Sequence, residues 1–222
     1  MVNHRIFLVD DHPVMREGYA SLIAYEPDFE VCGQAGSAEE AVLQIPEARP
    51  DASVIDLSLP GGSGLELIKQ LRAFDAGGSI LVVSAHDESL YAERVLRAGA
   101  RGYLMKQESA GKVVTALRTV LDGGIYASED MLQRLLRRHS PVSTEVRAKE
   151  DLAPSVRSLT DRELEVFEHF GHGRSTREIA GLLNVSQKTI ESHRVNIKQK
   201  LGLDSAYEMI RHAVLWVQAA AA

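Results

Sequence analysis

Over the first 125 residues, short apolar runs alternate with amphipathic stretches. Ile6–Val9, Glu30–Gln34, Ala52–Asp56, Ile80–Ser84 and Gly102–Met105 read as strands, bounded by polar or turn-forming residues. Between them, Pro13–Tyr25, Ala38–Ile45, Gly64–Leu71, Tyr91–Arg97 and Ala110–Asp122 carry helical patterns. Pro13 suits a first helical turn, and Ser37 suits an N-cap. Central strands that are apolar on both faces belong in a parallel sheet covered by helices. Five such β-α units predict an α/β flavodoxin-like fold with a five-stranded, doubly wound parallel sheet.

The second half follows a different pattern. Gly123-Gly124 closes the last β-α unit, and Met131–Arg138 can form a short helix. Ser140–Ser158 carries two prolines, small polar residues and no apolar period, which predicts a linker. The remainder is all helical: Asp161–Phe170, Ser175–Leu183, Gln187–Leu201 and Ala206–Val217, with Thr160 or Ser158 as the first cap. Ala219–Ala222 should fray. The expected organisation is an α/β domain over 1–125, a linker with a possible short helix over 126–157, and a four-helix domain over 158–218.

Composition narrows the compartment and the partners. Of the 222 residues, 45% are hydrophobic and 25% charged, as in a globular protein with a real core. No apolar run is long enough for a membrane span or a signal segment. A single cysteine, Cys32, cannot form an internal disulfide, so a cytoplasmic protein is expected. The net charge of -6 is unevenly spread. Residues 1–127 hold 11 basic against 18 acidic side chains, whereas residues 159–222 hold 8 of each. A case for nucleic acid therefore rests on where the cations lie in the second half, not on their number.

The strand ends carry the candidate chemistry. The first predicted strand runs into Asp10 and Asp11, the third ends in Asp56, the fourth in Ser84, and the fifth in Lys106. Parallel strands bring these groups to one sheet edge, where open α/β sheets bind ligands. Three acids can hold Mg2+, which takes oxygen ligands and keeps water and phosphate oxygens in its shell. With that charge neutralised, Asp56 can act as a nucleophile on phosphorus, while Ser84 and Lys106 hold the phosphoryl oxygens. His12 follows the acidic pair and reads as part of the first helical turn. His169 and His172 lack a third ligand and predict no zinc site.

In the second half, Ser175–Leu201 reads as helix, turn, helix, with Ser186 as the cap of the second helix. Helical spacing turns Ile190, His193, Ile197 and Leu201 inward. It turns Lys188, Glu191, Ser192, Val195 and Gln199 outward, flanked by Thr189, Asn196 and Lys200 on one side and Arg194 and Lys198 on the other. Such a helix suits the major groove: the cations meet phosphates, while Lys188, Glu191 and Val195 can reach guanine, cytosine N4 and a thymine methyl.

These motifs carry two resemblances. Val9-Asp10-Asp11-His12-Pro13, the run Asp56–Gly64, Ser84-Ala85-His86 and Ala98–Lys106 resemble a response-regulator receiver domain. Leu159–Val166, Glu178-Ile179-Ala180 and Val185–Lys198 resemble a LuxR-type helix-turn-helix domain. Together they are similar to a NarL/FixJ-type two-component response regulator. The resemblance implies that Asp56 is the phosphoacceptor for the histidine of a sensor kinase. It implies that Asp11, Asp56 and the Ser58 carbonyl bind Mg2+, with Asp10 acting partly through water. It also implies that Ser84 and Lys106 hold the phosphoryl group and that Tyr103 is the aromatic switch. On the output side it implies an operator in double-stranded DNA, read through Gln187–Leu201, and a homodimer on DNA formed through Ala206–Val217. A regulator that uses its receiver only to dimerise is the competing reading. A phosphohydrolase of the haloacid-dehalogenase type would need an acid where this chain has Ser58. No membrane and no metabolic activity are expected.

Overall fold

The computed structural model describes residues 3–60, 62–108, 111–138 and 156–220. The chain divides into two compact units, Met1–Leu135 and Leu136–Ala222. In the first unit β1 (His4–Val9), α1 (Pro13–Ala24), β2 (Phe29–Ala35), α2 (Ala38–Ala48) and β3 (Ala52–Ile55) follow in turn. A small hairpin, β4 (Ser58–Leu59) and β5 (Gly62–Ser63), leads into α3 (Gly64–Ala73). Then come β6 (Ser79–Ser84), α4 (Glu88–Arg97), β7 (Gly102–Met105) and α5 (Gly111–Leu121), and α6 (Glu129–Arg138) runs across the division between the units. The five long strands pair in parallel, in the order β2-β1-β3-β6-β7. This is the doubly wound order expected from the β-α alternation.

Each strand alternates its side chains between two helical layers. Ile6, Leu8, Val54, Leu81, Val83 and Leu104 face α1 and α5, packing with Tyr19, Ile23, Val113, Ala116, Leu117 and Val120. Their neighbours Phe7, Val9, Ile55, Ile80 and Val82 are equally buried and point to the opposite face. Each such side chain contributes roughly 1.5–3 kcal/mol by leaving water. Because both faces are covered, the sheet has one stable register, and that register fixes which residues end each strand.

Several elements differ from the expectations, and three of the differences have a clear local reason. Helix α2 runs through Pro46 to Ala48 before Arg49 ends it in the left-handed conformation (φ 46°), so the proline is absorbed in the last turn. Helix α4 starts three residues earlier than its apolar period, because the Asp87 carboxylate accepts from Ser89 N (2.7 Å) and caps it. The β4–β5 hairpin pairs residues too polar to announce a strand. Beyond α5 the chain returns along β7: Tyr103 N donates to Tyr126 O (2.8 Å) and Tyr126 N to Arg101 O (3.0 Å), covering the sheet edge.

In the second unit one tight turn over Val156–Ser158 precedes α7 (Asp161–Gly171), α8 (Thr176–Leu182), α9 (Gln187–Leu201) and α10 (Ala206–Ala220). The expected linker falls mostly on residues 139–155, outside the described residues, as do Ala221 and Ala222. Capping boxes open α7 (Thr160 with Glu163) and α8 (Ser175 with Glu178). Asn184 turns left-handed (φ 50°) between α8 and α9, a conformation its short polar side chain tolerates. Phe167, Ile179, Ile190, Ile197, Met209 and Ala213 are fully buried and join the four helices. None of the described helices is long and apolar enough to cross a membrane.

Candidate functional site

The order of strands reverses between β1 and β3, whose register pairs Val9 with Ile55. The residues that follow, Asp10 and Asp56, therefore leave the sheet side by side at the switch point. Asp56 N donates to Val9 O (2.8 Å), which continues the pairing one step and fixes the start of the turn. Lys106, just beyond β7, reaches across the edge: its Nζ lies 2.7 Å from Asp56 Oδ2 and 2.8 Å from Asp10 Oδ2. Asp10 Oδ1 accepts from His12 N (2.8 Å). Asp10 and Asp56 are almost completely buried, Asp56 with 2% of its surface exposed.

This pocket holds more negative charge than its lysine can offset. Burial pushes the Asp56 carboxyl above the usual carboxylate range, and Lys106 only partly reverses that. Burial alone would lower the Lys106 ammonium, but Asp56 and Asp10 together hold it above its usual value. Tyr19 on α1 is pushed up to about 12, chiefly by burial. Two buried oxygens, Asp11 Oδ1 and Asp56 Oδ1, accept no hydrogen bond among the described residues. One donor atom from each of Asp10, Asp11, His12 and Asp56 lies within 4.8 Å of the others. Orphaned, converging carboxylate oxygens with one ammonium between them fit a divalent cation.

The remaining predicted groups line the same edge. Ser84 is fully buried, and its Oγ accepts from His86 N (3.2 Å). Tyr103 is also buried, and its hydroxyl donates to His86 O (2.7 Å). The Ser58 hydroxyl meets His86 Nε2 (3.0 Å), and the His86 ring packs on Tyr91 with centroids 4.7 Å apart. His86 thus joins Ser84, Tyr103 and Ser58, a role the sequence reading did not assign to it. Its position two residues after a strand-ending serine was the available signal.

In the second unit, Ile190, Ile197 and Leu201 of α9 are buried as expected, and His193 is half-buried. Burial and the nearby Arg162 hold the His193 imidazole below its usual value. Lys188, Ser192, Val195 and Asn196 are exposed, Val195 at 57%, while Thr189 and Lys198 are partly exposed. Three expected contact groups, Glu191, Arg194 and Lys200, are also engaged within the domain. Glu191 Oε1 accepts from Thr176 Oγ1 (3.0 Å) and its Oε2 pairs with Arg194 (2.9 Å). Lys200 Nζ lies 2.6 Å from Oε2 of the buried Glu163, which also accepts from Thr160 N (2.8 Å).

Burial alone would raise the Glu163 carboxyl, but Lys200 and Thr160 outweigh it and hold the carboxyl below its ordinary value of 4.5. The stability this gives is present above that ordinary value and is lost as pH falls through the lower folded one. Lys200→Ala should therefore cost roughly 1–3 kcal/mol at neutral pH, at the low end for a broken buried pair because the ammonium is a third exposed. Urea unfolding from pH 7 down to pH 3 should show the gap to wild type closing. A gap that stays constant would remove the carboxylate from the explanation.

Comparison with known proteins places both units. Residues 6–118 match the response regulator receiver domain, and residues 157–213 match the luxR family of bacterial regulatory proteins. The chain is 35% identical over 207 residues to the transcriptional regulatory protein UhpA of Escherichia coli K12, covering 93% of this chain and 95% of that one. It is 33% identical over 211 residues to the oxygen regulatory protein NreC of Staphylococcus aureus, covering 95% and 96%. The structure of the Salmonella typhimurium RcsB response regulator superposes with a TM-score of 0.71 at 25% identity, covering 96% of this chain and 98% of that one. The chain belongs to the NarL/FixJ family of two-component response regulators, DNA-binding transcription regulators that join a receiver domain to a LuxR-type helix-turn-helix domain.

Proposed function

We propose that Asp56 accepts a phosphoryl group from the histidine of a sensor kinase, and that this phosphorylation controls DNA binding by the C-terminal helices. The observation that carries the reading is Asp56 itself: buried at the switch point, held by Lys106 through one oxygen, with the other accepting no hydrogen bond among the described residues. In this reading residues 1–125 are the receiver, 126–157 connect, and 158–218 bind DNA. Asp10, Asp11, Asp56 and the Ser58 carbonyl would hold Mg2+, which supplies charge neutralisation at the phosphoryl oxygens. Lys106 keeps a positive charge at the nucleophile, and Ser84 offers a hydroxyl donor on the next strand end. Once the Ser84 hydroxyl turns to a phosphoryl oxygen, the hydrogen bond from His86 N is given up. The loop that also holds the Tyr103 hydroxyl is then released to a second arrangement.

On the output side, α9 enters the major groove. Lys188, Ser192, Val195 and Asn196 are exposed toward its bases and backbone, and Thr189 and Lys198 flank them. Arg194 and Glu191 act as a pair, and Lys200 remains on Glu163. Tyr207 (76% exposed), Ile210 and Leu215 on α10 offer an apolar face to a second copy on DNA. A kinase, an operator and a reducing cytoplasm complete the proposed setting.

The test is to incubate the full chain with acetyl phosphate and Mg2+, then measure intact mass and select binding sites from a random duplex library. A phosphoryl increment with tighter, sequence-specific binding is expected. An increment without any change in DNA binding would favour a receiver that only dimerises. In the same assay Lys188→Ala should weaken binding uniformly across sequences and lower the salt slope by about 1 if it meets a phosphate. A changed base preference would place Lys188 on a base instead.

A further inference from the structure

Ser128 opens α6 as an N-cap does: its Oγ accepts from Met131 N (3.2 Å) and its carbonyl from Leu132 N (3.0 Å). Helices α7 and α8 complete such a cap from within, because a glutamate three residues on accepts from the N–H of the capping residue. Ser205 and Glu208 do the same at the start of α10. In α6 that third position is Met131, which offers no carboxylate and is buried instead, at 4% exposure. The acceptor comes from another helix: Ser128 N donates to Oε1 of Glu88 (2.8 Å), the first residue of α4 and 40 positions earlier in the chain. We propose that Glu88 completes the cap of α6 in trans, and that through this shared cap a change at the acidic site reaches the connecting helix. The trigger rests on the reading of Asp56 as phosphoacceptor; the cap itself does not.

The positions of the two ends make the bond switchable. Glu88 lies two residues beyond His86, whose N donates to the Ser84 hydroxyl and whose carbonyl accepts from the Tyr103 hydroxyl. Asp87 between them caps α4 through Ser89 N. When Ser84 turns to a phosphoryl oxygen, the loop that rearranges therefore carries the first turn of α4 with it. The other end is anchored elsewhere. Tyr126, two residues before Ser128, bonds its backbone to Arg101 and Tyr103 along β7. That strand is held in the covered sheet, so a shift of α4 separates Glu88 from Ser128 rather than moving both. Asp87, Glu88 and Asp130 line one small cleft with Met105 and Met131, so the bond is held against like charge and yields readily. A helix of ten residues is marginal in water without such support, so losing the cap frays its first turn.

The test follows amide exchange by NMR in the full chain, with intact mass measured on the same samples. In the wild type, acetyl phosphate with Mg2+ should speed exchange of the Ser128 N–H at least about fivefold, and the first turn of α6 should follow. Glu88→Ala should exchange that fast without acetyl phosphate and gain nothing further from it. Glu88→Gln keeps an oxygen that can accept, and should behave as the wild type. Asp56→Asn should stay slow with or without acetyl phosphate. Fast exchange at Ser128 in both Glu88 variants, or slow exchange in both, overturns the cap. A wild type that gains a phosphoryl group and leaves Ser128 slow overturns the coupling and leaves the phosphoacceptor reading intact. If no adduct forms, that reading and the coupling fall together, and the cap is still decided by the two Glu88 variants.

Discussion

Asp56→Asn should take no phosphoryl group from acetyl phosphate while folding at least as well as the wild type. The loss follows from chemistry: an amide oxygen is not a competent nucleophile toward phosphorus, and no other carboxylate occupies the end of β3. The stability follows from the pocket. Burial makes the ionised Asp56 costly, one of its oxygens accepts no hydrogen bond among the described residues, and Asp10 competes with it for Lys106. The raised carboxyl implies stability that is present at low pH and lost as pH rises through the folded value, so at neutral pH the charge works against the fold. An amide keeps an oxygen for Lys106 and removes the repulsion. Without added metal, the variant should gain roughly 0.5–2 kcal/mol in urea unfolding at pH 7. Added Mg2+ should raise the melting temperature of the wild type more than that of the variant. A phosphoryl adduct on the variant, or a fall in its stability, would refute this account of Asp56.

Gly64→Ala should be among the most damaging single-atom additions to the receiver. A Cβ at Gly64 would lie 2.2 Å from the Asp56 carbonyl oxygen and 2.7 Å from Leu57 Cα. These are backbone atoms, so no side-chain rotation relieves the clash. Gly64 N also donates to Leu57 O (2.9 Å), which ties the start of α3 to the same turn. Either α3 lifts from the sheet, or the turn carrying Asp56 moves away from Lys106 and Asp10. The expected loss is about 3 kcal/mol or more, read as a lower urea midpoint, with slower uptake from acetyl phosphate in whatever remains folded. Gly18→Ala is the contrast. It lies in α1 with nothing within 4 Å of the added carbon, and should stabilise by roughly 0.5–1 kcal/mol. Equal midpoints for the two variants would mean that the close approach at Gly64 carries no cost.

Much of this was legible along the chain. Four apolar runs ending in Asp10, Asp56, Ser84 and Lys106 required only that parallel strands share an edge, because strand direction and side-chain alternation follow from local pattern. The helical spacing of Ile190, Ile197 and Leu201 likewise settled which side of α9 faces inward. Other features were not legible, since they depend on atoms far apart in sequence. Glu191 and Lys200 look like outward polar groups by periodicity, yet Thr176, 15 residues earlier, holds the first and Glu163, 37 residues earlier, holds the second. His86 gained its place from Ser58, 28 residues away, and from the Tyr103 hydroxyl.

The sequence by itself determined the layers, the succession of strands and helices, and the set of groups at the strand ends, because hydrophobic periodicity and turn chemistry act over a few residues. Only the tertiary structure decided which of those groups are paired and which are left wanting. Lys106 spans two acids, Asp56 and Asp11 each keep a buried oxygen that accepts no hydrogen bond among the described residues, and the ring of His12 pairs with Asp11 (2.5 Å). Such pairings depend on distances of a few tenths of an ångström in a low-dielectric pocket, and no one-dimensional pattern encodes them.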